Sequence, residues 1–310
     1  EAATDEPILV VPGVEITREL PTGHINAIFV EDANSLVQLD ANADDAAEMA
    51  ARLDALPDWG SERDVIEYYV RTGLWAADAA VSAANAQGAF LFWNHPSWSD
   101  QAPDGKPPVS PQHQRWFSEK LLHGIEVVNG VSYSPESFQL ALDNDLALIG
   151  TSDVHDLIDW DYLPELGGHR PVTLVFATSA QMAAVRAALF AKRTAVWFQD
   201  TLLGRQRELA PLVKASIVVT SARYLPDTTL VQVRLENRSS VPFELQNLSN
   251  FGDQNNLGAV TLPALGALTL ELATGVRLAE ISWPVRVVNA YTTPNKQLVI
   301  TLSTPIAEAE

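Results

Sequence analysis

Five residues combine side chains that bind metal ions with positions beside apolar segments that predict strands. Asp153 and His155 stand two positions apart directly after an apolar run, and this spacing can send both side chains toward one side of the chain. Glu15 follows another apolar run, His24 precedes a third and His95 follows a fourth. Three imidazoles and two carboxylates suit a binuclear site for Mn²⁺, Zn²⁺ or Fe²⁺, whereas Mg²⁺ prefers oxygen ligands.

Each of these residues also has an interpretation without a metal. A single histidine such as His95 in the sequence NHP more often caps a turn, and a single acid such as Glu15 is usually a solvated loop residue. Asp153 with His155 fits a hydrogen-bonded turn as well as a metal site. The combination of residues decides between a metal site and these alternatives, because three of the 6 histidines and two acids lie beside predicted strand ends. This pattern favours a metal site.

Strands and helices alternate in the part of the chain that must position these residues. Unbroken apolar runs, typical of strands buried on both faces of a parallel sheet, occupy residues 8–11, 25–30, 89–93, 124–128, 146–149 and 172–177. Helical patterns between them begin at three residues, the last two being possible caps: Asp44, Ser61 and Ser179. The alternation predicts an α/β fold for the first two thirds of the chain, with polar residues meeting at one edge of the sheet.

The sequence changes character after about residue 210. Helical periodicity fades, and alternating segments separated by turn residues take over. We therefore predict an α/β domain over residues 1–210 and an all-β sandwich over residues 211–310. The segment RLENRSSVPFEL resembles strand pairs of fibronectin-like accessory domains. The sandwich either recognises a polymer or partner or covers one side of the α/β domain.

Composition excludes several classes of function. With 39 acidic and 20 basic residues, the chain repels polyanions, which argues against a nucleic acid held in a basic groove but allows a small anion to bind beside a metal. The absence of cysteine excludes disulfides, thiolate zinc sites and a cysteine nucleophile. No apolar run reaches the roughly 20 residues of a spanning helix, so we expect a soluble protein, cytoplasmic or periplasmic or secreted, of open oligomeric state.

Short motifs in a fixed order carry a family resemblance. VPGVEIT, GHINAIF, FWNHPSW, GIEVVNG and GTSDVH resemble the later motifs of the PHP (polymerase and histidinol phosphatase) superfamily of metal-dependent phosphoesterases. TGHINAIF and FWNHPSW are most similar to its organophosphate phosphodiesterase branch, and the resemblance continues through HRPVTLVFA and RTAVWFQDTLLGR. It implies a distorted (β/α)7 barrel whose rim binds two or three divalent metal ions, with Mn²⁺ ahead of Zn²⁺ and Fe²⁺.

The resemblance implies a role for each candidate ligand. Glu15 resembles the carboxylate that bridges two metals, and His24 and His95 resemble the imidazoles that complete one of those sites. Asp153 is similar to a ligand of the other site, and His155 to a ligand of a third metal. The implied reaction is hydrolysis of a phosphoester, most of all a phosphodiester, by attack of a metal-bridging hydroxide on phosphorus.

Further residues are candidates for contact with a small-molecule phosphoester. An alkoxide leaving group needs a proton donor, for which His169 is the candidate, although a histidine that caps a loop turn fits the sequence equally. Arg18 and Arg170 can hold phosphate oxygens with paired hydrogen bonds, or lie at the surface without a ligand. Trp98 can wall a pocket for the organic group of the ester, and so can two tryptophans that otherwise pack in the core, Trp93 and Trp116.

The two motifs that open the family have no counterpart in this sequence. An His-x-His pair on the first strand and an Asp-His at the end of the second are missing, since His24 is the first histidine. We therefore expect a chain without its first two β/α units. One site, that of Glu15, His24 and His95, keeps its ligands, whereas those of Asp153 and His155 lose partners. Weak metal binding and little activity are expected from these residues by themselves.

Two other functions fit parts of the pattern. An amidohydrolase-type metallohydrolase also places His and Asp at barrel rims, but it has a lone Asp after its last strand, whereas Asp153 is coupled to His155. A non-catalytic binding or scaffold protein would use the β-sandwich for recognition and keep the α/β part as a support. Metal-dependent hydrolysis of a phosphodiester separates the three possibilities.

Overall fold

The computed structural model describes most of the chain. Its described residues are 8–36, 76–253 and 258–307, with four isolated positions between 47 and 55. Apart from those four positions, the helix predicted from Asp44 lies outside the described residues, and so does the first part of the helix predicted from Ser61. Among the described residues, no helix is both long and apolar enough to cross a membrane.

The chain divides into two compact units, and each combines segments that are distant in sequence. The first unit comprises Glu1–Ile149 and Val175–Arg193, and the second comprises Gly150–Leu174 and Thr194–Glu310. The predicted division into residues 1–210 and 211–310 stays a prediction.

A six-stranded mixed sheet forms the centre of the first unit. Its strand order is β1-β2-β3-β4-β5, with β6 beside β4. The first three strands are antiparallel to one another and β3 is parallel to β4, so the expected wholly parallel sheet is wrong for this part. The strands are β1 Gly13–Ile16, β2 Ile25–Ile28, β3 Phe90–Trp93, β4 Gly124–Asn129, β5 Ser132–Tyr133 and β6 Ala147–Thr151.

The start of this sheet differs from the predicted one. The apolar run of residues 8–11 forms no strand, and Ile8 and Val10 are 91% and 80% exposed. The first strand begins only at Gly13, because Pro12 has no N–H to donate to a neighbouring strand. Among the described residues the sheet is open, so a closed barrel stays a prediction.

The described part of the first unit contains the helices α1 Ala77–Ala86, α2 Pro111–Ser118, α3 Pro135–Asp143 and, later in the chain, α5 Met182–Phe190. The core cluster of the unit includes six buried apolar residues from its sheet and from α5: Phe29, Phe90, Phe92, Ala147, Ile149 and Leu189. Helix α5 starts three residues later than the predicted cap at Ser179, since residues 178–181 bend before the first helical turn and Gln181 takes the capping position.

Helix α2 begins inside a Pro-rich segment, which has prolines at positions 103, 107, 108 and 111. The Ser110 side chain accepts a hydrogen bond from the backbone N–H of His113, and the His113 ring accepts one from the backbone N–H of Ser110. This is a capping box with His in the place usually taken by Glu or Gln. Pro111 fits the first helical position, where no N–H is needed.

The second unit is built mainly of strands, in two sheets. One has the order β14-β12-β16-β9-β8-β7 with β17 beside β16, and the other has the order β10-β11-β15-β13. The strands are β7 Val172–Val175, β8 Thr194–Phe198, β9 Thr201–Gly204, β10 Ile217–Tyr224, β11 Leu230–Asn237, β12 Phe243–Asn247, β13 Gly252–Asp253, β14 Val260–Leu262, β15 Ala267–Ala273, β16 Glu280–Thr293 and β17 Lys296–Pro305. Two helices, α4 Ile158–Tyr162 and α6 Gln206–Ser216, precede the longer strands.

The β-rich C-terminal part is as predicted, but it is not separated from the strands before it. Leu202 and Leu203 of β9 pair in parallel with Ala290 and Tyr291 of β16. The predicted domain boundary near residue 210 falls inside α6, because the amphipathic segment from Gln206 continues to Ser216 as one helix. One continuous sheet therefore includes strands from both sides of that boundary.

Candidate metal centre

Strand pairing places Glu15, His24 and His95 together. Strands β1 and β2 are antiparallel, so Glu15 lies close to the start of β2, which directly follows His24. In the antiparallel pair of β2 and β3, Ile25 lies opposite Trp93, so the start of β2 adjoins the end of β3. His95 comes just after that end. Antiparallel pairing thus gathers the residues that we expected at the edge of a parallel sheet.

The three side chains form a compact set of donor atoms. One ligand atom from each of Glu15, His24 and His95 lies within 4.8 Å of the other two. The rings of the two histidines are 4.8 Å apart, edge to face, and His24 Nδ1 is 3.1 Å from Glu15 Oε1. The His95 residue is buried, whereas the Glu15 side chain is 34% exposed. One carboxylate and two imidazoles in this arrangement fit a divalent transition-metal ion.

The carboxylate of Glu15 is held as an anion. The hydrogen bond from His24, aided by those from Thr17 and Asn94, outweighs the opposing effect of burial and lowers the pKa of Glu15 to about 2. Thr17 Oγ1 donates to Oε1 at 2.6 Å and Asn94 Nδ2 donates to Oε2 at 2.9 Å. A ligand that is already deprotonated binds a cation without releasing a proton.

The backbone of His95 has an unusual conformation. Its φ is 24°, a region that non-glycine residues rarely adopt. The backbone N–H of His95 donates to Glu126 Oε2 at 2.7 Å, and its carbonyl oxygen accepts from the backbone N–H of Trp98 at 2.9 Å. Hydrogen bonds therefore hold both the backbone N–H and the carbonyl group of His95.

Helix α2 anchors the turn before His24. Nε2 of His113 lies 2.9 Å from the carbonyl oxygen of Thr22, so this nitrogen carries the proton and donates it. The Thr22 hydroxyl also donates to Gln112 Oε1 at 2.8 Å. Burial lowers the pKa of His113 to about 4, and its ring stacks on that of Trp93 at 3.8 Å. A neutral histidine in the core thus holds the loop that presents His24.

The tryptophans suggested as pocket walls have different environments. Trp93 and Trp116 are 0% exposed and both pack against His113, so they belong to the core. Trp98 is 45% exposed, and its ring centre lies 5.4 Å from that of His95 and 6.2 Å from that of His24. Trp98 is therefore the member of the three that borders the candidate metal centre.

Arg18 follows the end of β1 in the first unit. It is half-buried, and its Nη1 donates to the carbonyl oxygen of Thr17 at 2.7 Å. Thr17 also contacts the carboxylate of Glu15, so Arg18 lies on the same short segment as the candidate ligand.

Asp153 and His155 lie in the second unit, in the loop that follows β6. Both residues are exposed, and Asp153 has a positive φ of 50°. In the part of the chain that the structure describes, neither belongs to a group of three potential ligands. Their position after the strand agrees with the sequence pattern, and their roles as metal ligands stay predictions.

His169 lies in the same unit, beside β8 and β9. Its Nδ1 is 2.8 Å from the carbonyl oxygen of Arg170, and its Nε2 is 3.0 Å from that of Gln199. A neutral imidazole can donate to only one of these oxygens, whereas an imidazolium donates to both. The ring also packs against Trp197 at 4.0 Å. Arg170 is exposed, and the roles of both residues toward a substrate stay predictions.

Comparison with known structures identifies the family. A crystal structure from Bacteroides vulgatus ATCC 8482 aligns with this chain with a TM-score of 0.77 and 31% sequence identity, over 96% of this chain and 75% of the other. It is described as a two-domain protein containing a predicted PHP-like metal-dependent phosphoesterase. The chain belongs to the PHP-like family. No curated protein sequence matches this PHP-like chain.

The β-rich part of the PHP-like chain has its own match. A family model described as an Ig-like domain matches residues 217–303. These residues begin with β10, directly after α6, and end within β17. Ig-like and fibronectin-like domains share the sandwich architecture, so the predicted architecture is confirmed at that level.

Two buried residues that touch the candidate ligands of the PHP-like chain were missed from the sequence. Asn94 holds Glu15 and is 3% exposed, and Glu126 holds His95 and is 2% exposed. A signal was present for Glu126, because a charged residue in the middle of the apolar strand GIEVV is rare without a specific partner. Asn94 directly precedes His95 and gave no signal of its own.

Proposed function

We propose that the PHP-like chain carries the catalytic part of a metal-dependent phosphoesterase and that its substrates are phosphodiesters. The observation that supports this most strongly is the cluster of Glu15, His24 and His95, whose ligand atoms lie within 4.8 Å of one another around an ionised carboxylate. In this proposal residues 1–210 contain the catalytic part, which is a portion of a (β/α)7 barrel. The sandwich of residues 211–310 is an accessory domain.

Five residues of the chain bind the metal ions in this proposal. Glu15 supplies the negative charge, His24 and His95 supply neutral nitrogen donors, and Asp153 and His155 hold further ions. Divalent ions held by these residues, Mn²⁺ or else Zn²⁺ or Fe²⁺, would activate water for attack and neutralise charge on the phosphoryl oxygens. No nucleophilic side chain is needed.

Other residues bind and orient the ester in this proposal. Trp98, exposed beside both histidines, contacts the organic group. Arg18 and Arg170 hold phosphate oxygens with paired hydrogen bonds. His169 protonates an alkoxide leaving group, for which its ring must release one of the two carbonyl oxygens that it now faces.

The proposal is tested by metal binding and hydrolysis with the full 310-residue chain. Calorimetric titration with Mn²⁺ is compared for the wild type, His95→Ala and the exposed control Glu119→Gln. We expect weak binding in the wild type and the control and its loss in His95→Ala, and any hydrolysis of bis(p-nitrophenyl) phosphate by this chain should follow the same order.

Two results would contradict the proposal. Unchanged Mn²⁺ affinity in His95→Ala removes the cluster as a metal site. Metal binding without hydrolysis of phosphodiesters, in a form of the protein that carries the family's opening motifs, removes the phosphodiesterase assignment and favours a different metallohydrolase.

A further inference from the structure

A buried carboxylate lies behind the candidate metal centre. Glu126 belongs to β4, between apolar neighbours, and is 2% exposed. Burial of a carboxylate is strongly unfavourable unless hydrogen bonds compensate for the lost water. An apolar residue would fill this strand position at lower cost, so the contacts of the carboxylate must explain its presence.

Two donors that reach Glu126 Oε2 come from segments that carry family motifs. The backbone N–H of His95 donates at 2.7 Å, and Nδ2 of Asn129 donates at 3.1 Å. The first bond is short, as expected when the acceptor is ionised. It satisfies a backbone donor of a residue that is itself 8% exposed, so no water can easily take its place.

This bond stabilises a strained backbone. His95 has a φ of 24°, a conformation that is unfavourable in a non-glycine residue and persists only where surrounding contacts hold it. A short hydrogen bond from a buried N–H to a carboxylate is one of the stronger hydrogen bonds in proteins. The bond to Glu126 can therefore hold His95 in a conformation that it would otherwise leave.

The conformation matters because it sets the direction of the imidazole. The chain is fixed one residue earlier, where the backbone N–H of Asn94 donates to the carbonyl oxygen of His24 at 2.9 Å. From this fixed point, the φ of His95 decides whether its ring reaches the ring of His24, 4.8 Å away. A change to negative φ would turn the Cα–Cβ bond away from that direction.

We propose that Glu126 is a positioning residue that holds His95 in the strained conformation its imidazole needs to share a metal ion with Glu15 and His24. The inference rests on the proposed metal site and adds to it a residue that does not touch the ion. Glu126 acts on the backbone of a ligand, so its effect depends on an acceptor at Oε2 and not on its negative charge alone.

Two substitutions of similar size test this role. Glu126→Gln keeps an acceptor for the His95 N–H, whereas Glu126→Met removes it. We expect Mn²⁺ and Co²⁺ affinity to fall by about 10–100-fold in Glu126→Met, the range typical when support of a ligand is lost, and to stay within a few-fold in Glu126→Gln. The visible absorption spectrum of bound Co²⁺ should change in Glu126→Met only.

A matched control removes the side-chain amide of Asn129, which also donates to Glu126. Asn129→Ala leaves the bond between His95 and Glu126 in place, so its metal affinity should equal that of the wild type. Equal losses in Glu126→Gln and Glu126→Met overturn the proposal, because they show that the charge is needed and not the acceptor. Unchanged affinity in Glu126→Met also overturns it.

A measurement without metal separates this inference from the proposed function. In protein labelled with ¹⁵N-histidine, the amide proton of His95 should resonate downfield and exchange slowly in the wild type and Glu126→Gln, and lose both properties in Glu126→Met. If the wild type binds no ion, the proposed function fails, but the chemical shift and exchange rate of the His95 amide still test the role of Glu126. A rapidly exchanging, unshifted His95 amide in the wild type overturns the inference without any variant.

Discussion

His24 Nδ1 lies 3.1 Å from Glu15 Oε1, although the two residues come from opposite sides of a turn between antiparallel strands. The hydrogen bond between them is the largest cause of the low pKa of Glu15. Because the pKa of Glu15 is about 2, protonation of this carboxylate is not expected to limit metal binding near neutral pH.

The amide of Asn94 is expected to support this carboxylate. Asn94→Ala removes the donor that lies 2.9 Å from Glu15 Oε2, so the pKa of Glu15 rises and the carboxylate gains freedom. Mn²⁺ affinity should fall about tenfold, at the lower end of the effects of lost ligand support. Calorimetric titration measures the change.

The control for Asn94→Ala is Asn144→Ala, since the hydrogen bonds that Asn144 donates go to the end of its own helix, at Leu140 and Leu142. Its metal affinity should not change. An Asn94→Ala variant that binds Mn²⁺ as tightly as the wild type would show that Thr17 and His24 suffice to hold the carboxylate.

Two buried histidines should make the fold sensitive to mild acid. Burial lowers the pKa of His113 and His123 from 6.5 to about 4, and the charges of Arg186 and Lys192 add to this for His123. Between these pH values the unfolded chain binds protons that the folded chain refuses, so the free energy of unfolding falls as the pH drops below about 6.5. The loss levels off below pH 4 and reaches at most about 3 kcal/mol per histidine.

Urea unfolding at pH 7.5, 6.5, 5.5 and 5.0 measures this dependence above the range in which carboxylates titrate. His113→Gln removes one of the two groups and should reduce the slope by about half, because each protonation contributes separately to the linkage. A free energy of unfolding that is constant from pH 7.5 to 5.0 would contradict the assignment of both histidines as neutral core residues.

The sequence indicated the ligand cluster because local signals and pairing agree. Glu15, His24 and His95 each border an apolar run, and a strand pair of either orientation brings such residues to an end of a sheet. The orientation itself was mispredicted, since unbroken apolar runs are typical of parallel strands but β2 and β3 are antiparallel. An unbroken apolar run indicates that a strand is buried on both faces, but it does not indicate whether the neighbouring strand is parallel or antiparallel.

Other features depend on contacts that have no local signal. The capping box of α2 uses His113 where Glu or Gln is usual, so the usual sequence signal for the start of this helix is missing. The pairing of β9 with β16 joins residues about ninety positions apart. The sequence pattern of neither strand predicts that the two strands pair. The positive φ of His95 follows from its bond to Glu126 and is not visible in the sequence NHP.

The proton of His169 is expected to matter for some substrates more than others. If it protonates the leaving group, His169→Gln should lower turnover of a diester with alkyl leaving groups by about 10²–10⁴-fold and have a much smaller effect on bis(p-nitrophenyl) phosphate, whose phenolate needs no proton. Steady-state kinetics with both esters, in a form of the protein that turns them over, measures the difference.

Trp197→Phe serves as the control for this prediction, because it keeps a ring beside His169 and leaves the imidazole in place. Equal losses for the two esters in His169→Gln would assign His169 to the structure of its loop, where it joins the carbonyl oxygens of Arg170 and Gln199.

The Ig-like part is expected to be required for the stability of the strands before it. A chain that ends at Ser216 loses β16, the parallel neighbour of β9, and leaves the edge of β9 unpaired. Leu202 and Leu203 of that strand, each 1% exposed in the full chain, would then lie at a free apolar edge, which promotes aggregation. We expect the shortened chain to be poorly soluble and to lose cooperative thermal unfolding, as measured by circular dichroism and light scattering. A full-length variant with Val299→Lys, at an exposed position of β17, should remain soluble and cooperative. A shortened chain that unfolds cooperatively at the temperature of the full chain would show that β9 holds its place without β16.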